Sequence, residues 1–189
     1  MTDEELMLAV CDGDQSAYQV IVHQHLKSIS HYAFRMLGNQ KDTEDITQET
    51  FLRLWINAAK WQSEKAKLST WLHRITHNLC IDYLKKHRRV VTQESFDETK
   101  DDHKSNGYDN EEITDKSNIK KLNEQIRNLP ENQRSALMLC HYQNFSNKEA
   151  AHIMNISIKA LESALARSKR TLRQAMAITD ASKIEDTKD

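Results

Sequence analysis

Residues 68–89 read LSTWLHRITHNLCIDYLKKHRR. Leu72, Ile75, Leu79 and Tyr83 recur at steps of three, four and four, the period of one buried helix face. Arg74, Asn78 and Lys85 share the other side. Ser69 stands where an N-cap belongs, so the spacing predicts a helix from Thr70 to about Arg89. Its last turns, Lys85-Lys86-His87-Arg88-Arg89, are cationic. One reading is a helix C-terminus that favours positive charge. The other is a nucleic-acid surface, because basic residues interleaved with Trp61, Trp71 and Asn78 suit single-stranded DNA. There the charge tracks phosphates and pockets accept unstacked bases. His73, His77 and Cys80 fall at i, i+4 and i+7, a spacing that can hold zinc. No fourth ligand stands nearby, so no metal is expected.

The rest of the 189-residue chain supports a helical reading. Three glycines and one proline are too few for the turns of an all-β fold or the phosphate loops of a doubly wound one. Formal net charge is −1, but it hides uneven blocks. Residues 1–50 are acidic, 51–91 basic, 92–116 acidic, 117–178 basic, and the last eleven mildly acidic. Alternating blocks are a better guide to partners than their total. No apolar run is long enough to span a membrane, and the acidic start lacks the features of a secretory signal. Cys11, Cys80 and Cys140 are odd in number and far apart, which fits a reducing, cytoplasmic setting.

Caps divide the chain into elements. Thr2-x-x-Glu5 is a capping box opening a first short helix. Asp14 caps a second that stops at Gly38-Asn39, and Asp42 or Thr43 starts a third that ends near Lys60. Residues 92–117 have almost no apolar side chains and read as a flexible acidic linker. Helical periodicity resumes at Leu122, Ile126 and Leu129. Pro130 sits where a new helix begins, and Ser146-x-x-Glu149 is a second capping box. The expected architecture is all-α: one helical domain over 1–91, the linker, a second domain over 118–177, and a disordered tail over 178–189.

The second domain holds a helix-turn-helix pattern. A short helix from Asn147 breaks at Asn155-Ile156-Ser157, and a longer one follows to about Ala177. Ile158, Leu161, Leu165 and Leu172 form its predicted buried stripe. Lys159, Ser163, Arg167 and Arg170 share the opposite face, which suits a recognition helix: its N-terminus enters the major groove while Lys and Arg reach phosphates or guanine edges. A solvated face with scattered charges fits the pattern equally. In the third helix Phe51, Leu54, Trp55 and Ala58 point to the core, while Asp45, Gln48, Glu49 and Leu52 make a polar, acidic face. That face is either solvated or a dock for a basic protein helix. No paired carboxylates, nucleophile constellation or phosphate loop stands out, so neither enzymatic activity nor a cofactor is expected.

At this point the motifs spell a family. DTEDITQETFLRLW (42–55), LSTWLHRITHNLCIDYL (68–84), LPENQR (129–134) and the helix-turn-helix resemble, in order, the motifs of bacterial sigma factors. With two modules and nothing large between them, the chain resembles the extracytoplasmic-function (ECF) class. The resemblance implies partners: core RNA polymerase, through its β′ clamp helices and β flap, promoter DNA, and an anti-sigma factor. It implies that Asp45, Gln48, Glu49 and Leu52 dock on the clamp helices. Trp71, Arg74, Asn78, Lys85, Lys86, Arg88 and Arg89 would serve recognition and opening of the −10 element. Lys159, Ser163, Arg167 and Arg170 would read the −35 element. The acidic linker would pass through polymerase channels. Glu162, Ala164 and His77 depart from the family's usual residues, as does Asn155, which stands where glycine is usual and tolerates left-handed geometry. These departures bear on base preference. The alternative is a helix-turn-helix regulator that binds DNA without polymerase.

Overall fold

The computed structural model describes the backbone of residues 1–94 and 116–185, with side chains described over 1–88 and 119–177. Every regular element among them is helical, as the composition requires. The first unit holds α1 (Asp3–Cys11), α2 (Gln15–Leu37), α3 (Gln40–Asn57), a 3-10 turn (Ala58–Lys60) and α4 (Leu68–Glu94). The second is built around α5 (Lys116–Arg127), α6 (Glu131–Leu137), a π-helical turn (Met138–Tyr142), α7 (Asn147–Met154) and α8 (Ile158–Glu185). No described helix is long and apolar enough to cross a membrane.

In the first unit the caps fall where side-chain chemistry places them. Thr2 and Glu5 form the reciprocal capping box. Asp14 accepts from the Ser16 and Ala17 amides at 2.7 and 3.2 Å. α2 ends on Gly38, whose φ of +83° is left-handed and free of strain only for glycine. α3 starts earlier than Asp42, because the Asn39 side chain accepts from the Asp42 amide at 2.8 Å and serves as cap. α4 starts at Leu68 and takes Ser69 into its first turn, so Ser69 is not its cap. It also continues past Arg89 to Glu94, into the stretch predicted as linker. Of the rest of that linker, 95–115 lie outside the described residues, and 116–117 already belong to α5.

Leu6, Met7 and Val10 of α1, Ala17, Ile21 and Ile29 of α2, Phe51 and Leu54 of α3, and Leu68 and Leu72 of α4 pack into one core. The buried face of α4 differs from the predicted stripe. Leu72 and Leu79 are buried, Ile75 and Tyr83 only half-buried, and His73, Thr76, His77 and Cys80 are buried beside them. These polar groups are hydrogen-bonded, as burial demands. Thr76 Oγ1 donates to the Leu72 carbonyl at 2.9 Å and lies 3.2 Å from Thr50 Oγ1 on α3.

In the second unit Pro130 is the N-cap of α6 rather than its first residue. Arg134 is buried and donates from Nη1 to the Arg127 carbonyl at 2.9 Å, satisfying the C-terminus of α5. Ser146 and Glu149 form the predicted capping box. Asn155, with φ of +54°, turns the chain after α7, and Ser157 Oγ caps α8 by accepting from the Ala160 amide at 3.1 Å. Leu161, Leu165 and Ser168 are the buried side of α8. Ile158 is 46% exposed: as the first residue of α8 it lies ahead of the buried side, which begins at Leu161. α8 runs to Glu185 rather than Ala177.

Candidate nucleic-acid and protein interfaces

α3 separates its chemistry by face. Ile46, Thr50, Phe51 and Leu54 are buried, whereas Asp45, Gln48 and Leu52 are exposed and Glu49 is half-buried. The four predicted residues therefore form one ridge on the helix. Ile56, one turn beyond Leu52 and 67% exposed, extends it with a second apolar side chain. Its i+4 spacing from Leu52 was the available signal. Glu49 accepts from Arg53 Nε at 2.7 Å. Such an exposed pair contributes about 0–1 kcal/mol and leaves the carboxylate open to exchange partners.

On α4, Trp71, Arg74, Asn78 and Lys85 fall at steps of three, four and seven, on one face. Trp71 and Arg74 are half-buried, while Asn78, Lys85, Lys86 and Arg88 are exposed. Arg89 lies on the helix, with its side chain outside the described residues. The segment before α4 is folded back by Trp61, whose Nε1 donates to the Ala66 carbonyl at 3.0 Å. That leaves Lys65 and Lys67 exposed.

Behind this face two histidines fasten α4 to α2. Ser28 and Tyr32 are four apart on α2, and His73 and His77 four apart on α4, so two rungs form. His73 Nδ1 donates to the Ser69 carbonyl at 2.8 Å, which leaves Nε2 to accept from Ser28 Oγ at 3.2 Å. His77 Nδ1 lies 2.9 Å from the Tyr32 hydroxyl. Burial, helped by the charge of Lys85, pushes His77 down to about 4, so its ring is neutral and shares this hydrogen bond with Tyr32. Among the described residues no group of three His, Cys, Asp or Glu could hold a metal ion. A third link joins α3 to α4. Asp42 accepts from the Tyr83 hydroxyl and from Asn39 Nδ2, and the His87 ring lies on Tyr83 with centroids 4.1 Å apart. Burial and the adjacent Asp42 push the Tyr83 phenol up to about 12, so it remains a donor.

On α8, Lys159, Ser163, Arg167 and Arg170 are all exposed, opposite Leu161, Leu165 and Ser168. Arg173 is also exposed, three residues past Arg170. The face can present three or four cations to a phosphate backbone beside a capped helix N-terminus.

Residues 21–90 match the Sigma-70 region 2 family model, and residues 119–172 match Sigma-70 region 4. The ECF RNA polymerase sigma factor SigE of Mycolicibacterium smegmatis is 31% identical over 182 residues, covering 93% of this chain and 70% of the relative. SigM of Bacillus subtilis, also an ECF RNA polymerase sigma factor, is 31% identical over 156 residues, covering 81% and 91%. Two solved structures share the fold. One is the sigma factor RpoE of Bartonella quintana in complex with the anti-sigma factor NepR. It has a TM-score of 0.69 at 18% identity and covers 85% of this chain and 97% of that one. The other is CnrH in complex with the cytosolic domain of CnrY, with a TM-score of 0.67 at 22% identity, covering 95% and 97%. With two relatives above 30% identity along most of their length, and both regions matched in order, the chain belongs to the ECF family of RNA polymerase sigma factors.

Proposed function

We propose that the chain directs core RNA polymerase to promoters by binding, and that its own residues make and break no covalent bonds. In this reading residues 1–91 dock on the β′ clamp helices through Asp45, Gln48, Glu49 and Leu52. They also hold the opened −10 element. Trp71, Arg74 and Asn78 meet unstacked bases, while Lys85, Lys86, Arg88 and Arg89 neutralise phosphates. Residues 118–177 engage the β flap and read the −35 element with Lys159, Ser163, Arg167 and Arg170. The acidic 92–117 stretch joins the two. Polymerase and DNA put the working site in the cytoplasm. The observation that carries the reading is the separation of exposed faces. An acidic-apolar ridge on α3 and cationic faces on α4 and α8 each stand opposite buried core.

The solved relatives in complex with the anti-sigma factor NepR and with the cytosolic domain of CnrY support a protein inhibitor for this chain too, one that covers the same faces. The test uses labelled full chain and purified core polymerase. Reversing charge at Asp45 and Glu49 is expected to lower core affinity at least tenfold with no change in helix content. Replacing Lys159, Arg167 and Arg170 together by Ala is expected to spare core affinity and lower transcription from duplex promoters. Equal core binding by the charge-reversed variant would refute the docking assignment.

A further inference from the structure

Asp42 is in the first turn of α3, three residues before Asp45 on the ridge. Its partner Tyr83 is on α4, two residues before Lys85. The carboxylate accepts from the Tyr83 hydroxyl across 41 residues of sequence, and from the Asn39 side chain that caps its own helix. His87 then covers Tyr83. Both Asp42 and Tyr83 are half-buried, so the bond is shielded in part from water, where a hydrogen bond to a charged acceptor is worth more than a neutral one. The neighbouring cations are Lys85, Lys86 and Arg88, all exposed on α4, and the neighbouring anion is Asp45. The His77–Tyr32 and His73–Ser28 rungs fasten α4 to α2 higher up. Below Tyr83, α4 leaves the packed region: Lys85 to Arg88 are all exposed.

We propose that the Asp42–Tyr83 bond is a positioning joint that sets the cationic end of α4 relative to the ridge of α3, so that polymerase docked on one fixes where the other meets DNA. This rests on the reading of α3 as the docking ridge and α4 as the DNA-holding helix. Neither Asp42 nor Tyr83 touches polymerase or DNA in it. They act through Lys85, Lys86 and Arg88. A half-turn error in that end would carry the charges several ångströms from the phosphates they neutralise. The joint therefore matters for holding open DNA and not for joining the polymerase.

The experiment uses the full chain bound to core polymerase, on a promoter first mapped by run-off transcription with the unaltered protein. Core affinity is read by fluorescence anisotropy, and DNA opening by permanganate reactivity of thymines. Tyr83→Phe keeps the ring and its contact with His87 and removes only the donor. It is expected to lower opening at least tenfold, the scale of one lost hydrogen bond to a charged group. Core affinity should stay within twofold. Asp42→Asn keeps an acceptor oxygen for Tyr83 and is expected to retain most of the opening, whereas Asp42→Ala matches Tyr83→Phe. The Asp42→Ala, Tyr83→Phe double variant should be no worse than either single one, because both remove the same bond. Unchanged opening by Tyr83→Phe, additive losses in the double variant, or a parallel fall in core affinity would overturn the joint. Failure of the unaltered protein to bind core or open DNA would instead overturn the underlying reading.

Discussion

His77 lies in α4 with its Nδ1 on the Tyr32 hydroxyl and its ring buried, a place for a neutral imidazole only. Its value near 4 in the fold lies below the 6.5 of an exposed ring. Between those values the unfolded chain binds the proton and the folded one does not. Stability from this group is therefore complete above about pH 6.5, is lost as pH falls, and is gone below about pH 4, a change of about 3 kcal/mol. Urea unfolding at pH 7 and pH 5 should show the drop for the unaltered protein and a flatter profile for His77→Gln. Equal slopes would mean the ring is not held neutral. Tyr32→Phe should cost about 1 kcal/mol and leave the pH dependence in place. The sequence shows His73, His77 and Cys80 at a ligand-like spacing, but the side chains that meet the two histidines, Ser28 and Tyr32, are 45 residues away. Spacing along one helix cannot say what faces it, which is why this network was not legible.

At the scale of an element, legibility follows local chemistry. The caps at Thr2, Asp14, Ser146 and Ser157 and the stop at Gly38 are set by side chains within three or four residues of the helix ends. All could be read directly. The π-helical turn at Met138–Tyr142 has no compositional mark, and the start of α3 is ambiguous in sequence because Asn39 fits both the stop of α2 and the cap of α3. Asn155 at φ +54° predicts a clear mutational order. Asn155→Gly should leave thermal stability nearly unchanged, while Asn155→Val should cost about 1–2 kcal/mol, measured by thermal unfolding. The ridge of α3 makes a second prediction. Leu52 and Ile56 are 50% and 67% exposed, so replacing both with Ala should change stability by under about 1 kcal/mol yet weaken polymerase binding at least fivefold. On α8, replacing Arg167 or Arg170 with Ala should reduce the salt dependence of promoter binding by the polymerase complex by about one unit of slope, where the lost contact is to phosphate.

Across the whole molecule the net charge of −1 is the sum of surfaces with different tasks. The helical class and the family were readable because the motifs lie in order along both units and the glycine count excludes other folds. The ends of α4 and α8 were not, because both helices continue into polar sequence where no apolar period marks a boundary. This chain is expected to supply promoter choice to polymerase, and to do so only in its company. Run-off transcription on a genomic fragment library tests it directly, with core polymerase and with and without the chain. Transcripts are expected from a discrete set of start sites that share −35 and −10 sequences and require both components. An unchanged transcript pattern, together with tight duplex binding by the chain alone, would contradict it.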